Sequence, residues 1–216
     1  MSHLASTSAV AVSATGITVA RPAGAGAAHI MLAFVWRDFA NGGAMTASTG
    51  WNPLGSATHS GFAASQINVF WALGDVAALT FSAPAASGNI KADVSAFAGR
   101  NLATPIADFK FAEDTVATTS VPSLGATAGA DVAASWADFQ NATSLGTVPA
   151  GYTDRFNDTT STFHTAIATQ DALVAGATGL ITRTCANFTA KLAAGVALNA
   201  AGGDSTLMGT RIFVNG

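Results

Sequence analysis

Charge is scarce in this chain of 216 residues: 9 Lys and Arg stand against 12 Asp and Glu, the net charge is −3, and Glu113 is the single glutamate. So small a basic complement excludes a phosphate-neutralising face of the kind nucleic acid requires. It excludes an electrostatic membrane anchor as well. A single cysteine, Cys185, rules out an internal disulfide and a multi-cysteine zinc site. In the strand-like run ITRTCANF it reads as a small buried apolar residue. No apolar run approaches the ~18 residues of a membrane span, so membrane insertion is not expected, and the opening MSHLASTSAV lacks the basic n-region of a signal peptide. The sequons at Asn141, Asn157 and Asn187 then read as chance matches in a Thr-rich sequence.

What is present is apolar and small. Half of the residues are hydrophobic, enough for a sizeable core, and roughly a fifth are alanine, well above ordinary usage. Alanine favours helices, but the Leu, Glu and Lys partners of an amphipathic helix are missing at i+3 and i+4. The companions are Gly, Thr, Ser, Val and Phe, punctuated by turn clusters, which is an all-β pattern. The alanines are expected to fill tight positions between two sheets.

The organising stretch is 15–36, TGITVARPAGAGAAHIMLAFVW: a strand, a Pro-Ala-Gly turn with a second Gly behind it, then an apolar strand. Strands are expected at 8–12, 17–20, 29–36, 66–73, 79–82 and 90–98. In the last, Ile90, Ala92, Val94 and Ala96 alternate with Lys91, Asp93 and Ser95, the clearest period of two in the chain. Residues 105–114 read as a connector with Phe109 and Phe111 tucked inward. The plan then repeats at an offset near one hundred residues, with 119–136 (TSVPSLGATAGADVAASW) as a faded copy of the opening unit. Strands at 120–124, 130–136, 162–169, 180–186 and 190–198 match earlier ones, and 210–215 is expected to close the sheet beside the first strand. Pseudo-repeat halves of about 15–108 and 119–216 are too large and too few for a solenoid. They predict a single all-β domain over 1–216, a jelly-roll-like sandwich whose two related halves share one core.

The same residues carry a resemblance. ITVARPAGAGAAHIMLAFVW, TGWNPL, INVFWAL and IKADVSAFAGRNLATPIADF resemble a widespread β-sandwich family of tailed bacteriophages and some bacteria. In that family a Pro-x-Gly turn leads into an Asp-hydrophobic-hydrophobic strand, followed by a Gly-Trp turn, an aromatic-rich strand and an AFxGVDpatPID segment. Phe97-Ala98-Gly99-Arg100-Asn101 and Thr104-Pro105-Ile106-Ala107-Asp108 fit that segment. His29 replaces the Asp before the first long strand, while Asp131 keeps it in the second copy. The resemblance spans nearly the whole chain and implies a jelly-roll or lectin-like sandwich. It implies a minor tail or other virion surface protein, with a homo-oligomeric habit and other virion proteins as partners. Capsid decoration or a head-fibre role, and a carbohydrate-binding module, are the alternatives. The family brings no catalytic residues to carry over, and no enzyme activity or cofactor is expected.

No residue set in the chain specifies a reaction. A serine hydrolase needs a nucleophile beside a His and an acid. His29, His59 and His164 are present without a G-x-S-x-G elbow. The adjacent Glu113-Asp114 would point to opposite faces of a strand, which is no glycosidase pair. Gly24-Ala25-Gly26-Ala27-Ala28-His29 nearly spells the dinucleotide fingerprint, but a strand follows where a helix N-terminus is needed. Asp154, Asn157 and Asp158 in DRFND read as a solvated loop, without the ligand spacing of a calcium site. Among the aromatics Trp36, Trp51, Trp71, Trp136 and Tyr152, the pair Trp51 and Tyr152 follows an equivalent Gly in each copy. These two are the candidate glycan contacts, weighed against the plainer job of plugging the end of the sandwich. Function is expected in the loops that differ between copies, 37–48 and 140–149.

Overall fold

The computed structural model describes residues 2–12, 14–38, 43–60, 65–85, 88–114, 118–139, 145–158, 164–184 and 191–202, and every regular element among them is a strand. Copy one runs β1 (His3–Val12), β2 (Gly16–Thr18), β3 (His29–Arg37), β4 (Thr46–Ala47), β5 (Asn52–Thr58), β6 (Gln66–Leu73), β7 (Thr80–Ser82) and β8 (Asn89–Ala98). Copy two runs β9 (Ile106–Asp114), β10 (Thr118–Val121), β11 (Gly125–Ala126), β12 (Asp131–Asp138), β13 (Thr153–Asn157), β14 (His164–Gln170), β15 (Gly176–Ala177), β16 (Ile181–Thr184) and β17 (Lys191–Leu198). Cys185, Asn141, Asn187 and the closing strand expected at 210–215 lie outside the described residues.

Each copy builds a jelly roll. In copy one a five-stranded antiparallel sheet, β1-β8-β3-β6-β5, faces a three-stranded one, β2-β7-β4. Copy two repeats the large sheet strand for strand as β9-β17-β12-β14-β13, faces it with β10-β16, and adds the ribbon β11-β15. The order first-eighth-third-sixth against second-seventh-fourth is that of a jelly roll. The two large sheets then pack on each other. Ile30, Leu32, Phe34, Trp36, Ile67, Val69 and Phe97 of copy one interleave with Ala133, Ala137, Ile167, Leu192, Val196 and Leu198 of copy two in one shared core. Each large sheet buries its other face under its own small sheet, giving a private core per copy. The sandwich with two related halves and a shared core is therefore present, and the jelly roll is the half.

This layering explains the sequence pattern. A strand covered on both faces reads as continuous apolar sequence, and β3 is buried from Ile30 to Arg37. It also changes the meaning of the alternation in β8. Lys91, Asp93 and Ser95 do not face water; they are 0–1% exposed, held between the two large sheets. Alanine serves as expected: Ala33, Ala92, Ala96, Ala134, Ala168 and Ala193 are fully buried where sheets approach closely.

Three expectations are corrected. Residues 105–114 are no connector, since β9 is the edge strand of the second large sheet and the counterpart of β1. The first strand begins at His3 rather than 8, so the copies run from β1 to β8 and from β9 to β17. Residues 153–157, read as part of a solvated loop, form β13 against β14.

The copies are related by an approximate two-fold axis. β1 lies over β13 and, symmetrically, β9 lies over β5. The stretches just after β8 and β17 pair antiparallel with each other: Arg100 bridges Ala200, Asn101 N donates to Asn199 O at 3.0 Å, and Ala201 N donates to Gly99 O at 3.0 Å. Equivalent segments meeting at an axis is the geometry of an isologous dimer, here within one chain.

Candidate functional site

The match between copies can be made by face. Met31 opposite Ala96 and Val35 opposite Ala92 face one private core; Val132 opposite Ala197 and Trp136 opposite Ala193 face the other. On the small sheets, Ile17 opposite Phe81 matches Thr119 opposite Arg183, and the hydroxyl pair Thr18–Thr80 at 2.9 Å matches Ser120–Thr182 at 2.7 Å.

Trp51 and Tyr152 occupy equivalent turns. Each follows a glycine in the left-handed region, Gly50 at φ +97° and Gly151 at φ +82°. Each backbone N–H closes its turn, Trp51 on Ser48 O at 3.3 Å and Tyr152 on Pro149 O at 3.0 Å. From there the copies part. Trp51 is 8% exposed. Its ring meets Phe81 edge-on at 5.2 Å, and its indole N–H donates to Ala78 O at 3.0 Å. Val76 closes over Gly50, where an added Cβ would meet Cγ2 at 2.6 Å. Trp51 is thus a plug in a dry core and offers no ring face to a ligand.

Tyr152 has no such plug. Arg183 takes the place of Phe81, Ala168 that of Phe70, and the link 171–180 between β14 and β16 is longer than its counterpart 74–79. That link carries Ala172 at φ +54°, the one non-glycine with positive φ among the described residues, and the short β15. It stands away from the turn at 149–152 and leaves a cavity of about 670 Å³ between them. Tyr152 lines one side, with Leu173, Val174, Leu180 and Ile181 opposite. The hydroxyl of Tyr152 is buried without a hydrogen-bond partner among the described residues, and burial pushes it up to about 12. Gln170, in the place of Ala72, also lines the cavity. Its side chain makes no hydrogen bond among the described residues and packs over Gly151, where a Cβ would stand 3.2 Å from Nε2. Among the described residues no Asp, Glu, Lys, Arg or His lines this cavity.

A second recess of about 260 Å³ gathers His59, Ser60, Glu113 and Asp114 where the copies meet. The composition suggests a hydrolase; the wiring does not. Ser60 donates its hydroxyl to Glu113 Oε1 at 2.8 Å and its N–H to Oε2 at 2.7 Å, while His59 Nε2 donates to the Asp114 carbonyl at 3.1 Å. The acid holds the serine, and the imidazole Nε2 is committed to backbone, so the serine–histidine–acid order is not formed. The two Ser60 bonds hold the Glu113 carboxyl below its usual range. His164 is buried on β14 with neither ring nitrogen bonded among the described residues, and His29 Nδ1 accepts from Gly26 N at 3.0 Å. His29 opens β3, His59 follows β5 and His164 opens β14.

The DRFND carboxylates diverge. Asp154 forms a two-pronged pair with Arg183 at 2.6 and 2.9 Å, and Asp158 meets Lys91 Nζ at 2.6 Å. Asn157 donates to Leu145 O at 3.1 Å. Among the described residues no three His, Cys, Asp or Glu side chains converge as a metal site. Between the large sheets, Lys91 stands 4.3 Å over the Phe156 ring, and Asp93 accepts from the Thr165 hydroxyl at 2.9 Å. Burial lowers Lys91, and it raises Asp93 to about 6. This network joins the copies.

Sequence reasoning missed Arg183, Gln170 and the Lys91–Asp158 link. The only available signal was misalignment between copies: an Arg where the first copy has Phe, and extra residues before β16. Compared with protein-family models, curated proteins and solved structures, the chain matches none of them.

Proposed function

We propose that this chain is a non-enzymatic structural protein of a bacteriophage-type virion, a minor tail or fibre-type surface component that acts through assembly contacts and presented loops. The observation that carries the reading is where the family-like segment AFAGRN–TPIAD is spent. Gly99 turns at φ +62°, Arg100 donates to Ala98 O at 3.1 Å and Gly129 O at 2.8 Å, and Asn101 Oδ1 caps the N–H groups of Ala103 and Thr104, both at 3.0 Å. Asp108 accepts from Gly125 N at 2.9 Å. Arg100 serves the joint between copies, Asn101 shapes the turn that leads into β9, and Asp108 ties β9 to β11, so these three side chains are spent on structure. The resemblance is thus one of scaffold, as suits a structural protein, and the inert wiring of Ser60, His59 and Glu113 agrees.

The edges of the sheets support an assembly role. Three of the four edge strands of the large sheets carry guards against pairing with other chains: Asp108, Lys110, Glu113 and Asp114 on β9, Pro53 and a bulge on β5, Asp154, Arg155 and a bulge on β13. β1 has a bulge only at its start, between His3 and Ala5; it has neither proline nor an Asp, Glu, Lys or Arg over ten residues, and it leaves Val10 and Val12 46% and 71% exposed. It is the edge suited to strand addition by a neighbouring subunit.

Immunogold labelling of intact virions tests the proposal. Label along the tail is the expected result. Label over the head would replace the tail role with capsid decoration, and absence of the protein from purified particles would overturn the virion reading.

A further inference from the structure

We infer that the Tyr152 cavity of copy two is a binding site for a neutral saccharide, and that copy one has lost or never had the equivalent site. The inference stands on the chemistry of the cavity and not on the virion reading.

The volume of about 670 Å³ lies within the range of small-ligand sites. Its walls select the ligand class. Among the described residues no ionisable side chain other than the tyrosine lines it, so they offer nothing to pair a phosphate, a carboxylate or an ammonium, whose desolvation would then be uncompensated. A purely apolar ligand is disfavoured for the opposite reason, because Gln170 brings an unbonded amide with two donors and an acceptor into the wall. A pyranose ring meets both demands: its C–H face suits the Tyr152 ring and the Leu173 and Leu180 side chains, and its hydroxyls suit the amide. Thr178 is not a further free contact, since it accepts from Leu124 N at 3.0 Å and donates to Gly179 O at 2.9 Å. Recognition therefore rests on one aromatic wall, one amide and an apolar shelf.

The difference between copies is independent support. The residues that open the cavity are those at which copy two departs from copy one: the long link 171–180, Gln170 for Ala72, Tyr152 for Trp51. In copy one the same space is closed by Val76 over Gly50 and by the Trp51 indole. Val174 and Leu180, 88% and 71% exposed, stand at the mouth, where a ligand would cover them.

Tyr152 is the single tyrosine of the chain, so 3-fluorotyrosine gives one fluorine resonance that reports on this cavity alone. The full-length protein is titrated with neutral glucans, galactans and N-acetylglucosamine oligomers, and in parallel with glucuronate and glucose 6-phosphate. A saturable shift with at least one neutral saccharide is expected, weakened at least tenfold in Gln170→Ala, which installs the residue of copy one. Saturation-transfer NMR on the unlabelled protein provides the same readout if the label perturbs folding. The inference is overturned by any of three results: no response to any neutral saccharide, tighter binding of the charged sugars, or an undiminished response in Gln170→Ala. A negative result here leaves the virion location untouched, and absence from virions would leave this binding intact.

Discussion

Copy one fills its private core with rings, whereas copy two fills the same space with an ion pair and small residues. In copy one the Phe81 ring packs against Trp51 and Phe70, with centroids 5.2 and 5.4 Å away. In copy two those positions hold Tyr152, Ala168 and Arg183, and the lost volume returns from another strand as Trp136, in the place of Val35, with the Arg183 guanidinium 5.4 Å from its ring. Gly195, in the place of Val94, makes room for Val121. Such large-for-small exchanges keep the total volume and leave the backbone plan intact. The lesson is that strand order and register outlast the chemistry of the core, so the copies are recognised by pairing and not by matching letters. The shared core takes large aliphatic and aromatic side chains from both copies, with Ala133, Ala137 and Ala194 among them on the side of copy two, so each copy covers the apolar face of the other.

The comparison can be broken by transplanting residues. The largest effect is expected from Phe81→Arg, which puts the residue of copy two into copy one, where Pro53 stands in the place of Asp154. A buried charge without its partner costs more than about 4 kcal/mol, and urea unfolding should show little or no folded protein. Asp154→Leu strands the fully buried Arg183 guanidinium; a loss of about 3–5 kcal/mol is expected. The double variant Arg183→Met with Asp154→Leu should recover most of that loss, since the stranded charge is gone and an apolar side chain fills the buried place of Arg183. Gly195→Val restores the letter of copy one, but its Cβ would lie 2.3 Å from Val121 Cγ1. Overpacking of this kind costs about 1–3 kcal/mol.

The smallest effect concerns pH. Asp93, raised by burial from 3.8 to about 6, keeps a proton in the folded chain that the unfolded chain has released. Its contribution is complete below about pH 4 and disappears as pH rises through about 6. His3, lowered from 6.5 to about 4 by burial and by the charge of Arg155, acts in reverse, and its contribution grows as pH rises through the same window. The two slopes oppose each other in the native chain. Denaturation midpoints between pH 4 and 7 should rise with pH in Asp93→Asn and fall with pH in His3→Gln. Parallel curves for both variants and the native protein would remove the assignment.

The fold was legible where burial is complete. The runs at 29–36, 66–73 and 90–98 became β3, β6 and β8 within two residues, because strands covered on both faces spell continuous apolar or cleanly alternating sequence. Half-exposed edges were less legible. β9 mixes Phe109 and Phe111 with Asp108, Lys110 and Glu113, and so read as a connector; β13 carries three charged or amide side chains in five residues, and so read as a loop. For β8 the alternation was visible, but which face met water was not, because a second sheet covers the polar face. Of the candidate site, Tyr152 was named from its place after glycine. Gln170 was invisible, since its role depends on a longer link that lifts away from the turn, and this is a tertiary consequence that no local pattern encodes. Trp51 carried the same signal as Tyr152 and has the opposite fate, which shows that an equivalent motif does not guarantee an equivalent surface.

The central claim is that two jelly rolls stand as one cooperative unit because their large sheets share a core. Native-state hydrogen exchange on the full chain, read by mass spectrometry across a series of low denaturant concentrations, tests it directly. The account predicts that the central strands β3 and β12 exchange through the same opening, with one free energy and one denaturant dependence. If β12 exchanged through a smaller, cheaper opening while β3 stayed protected, the copies would be separate units and the shared core would not be what holds them together.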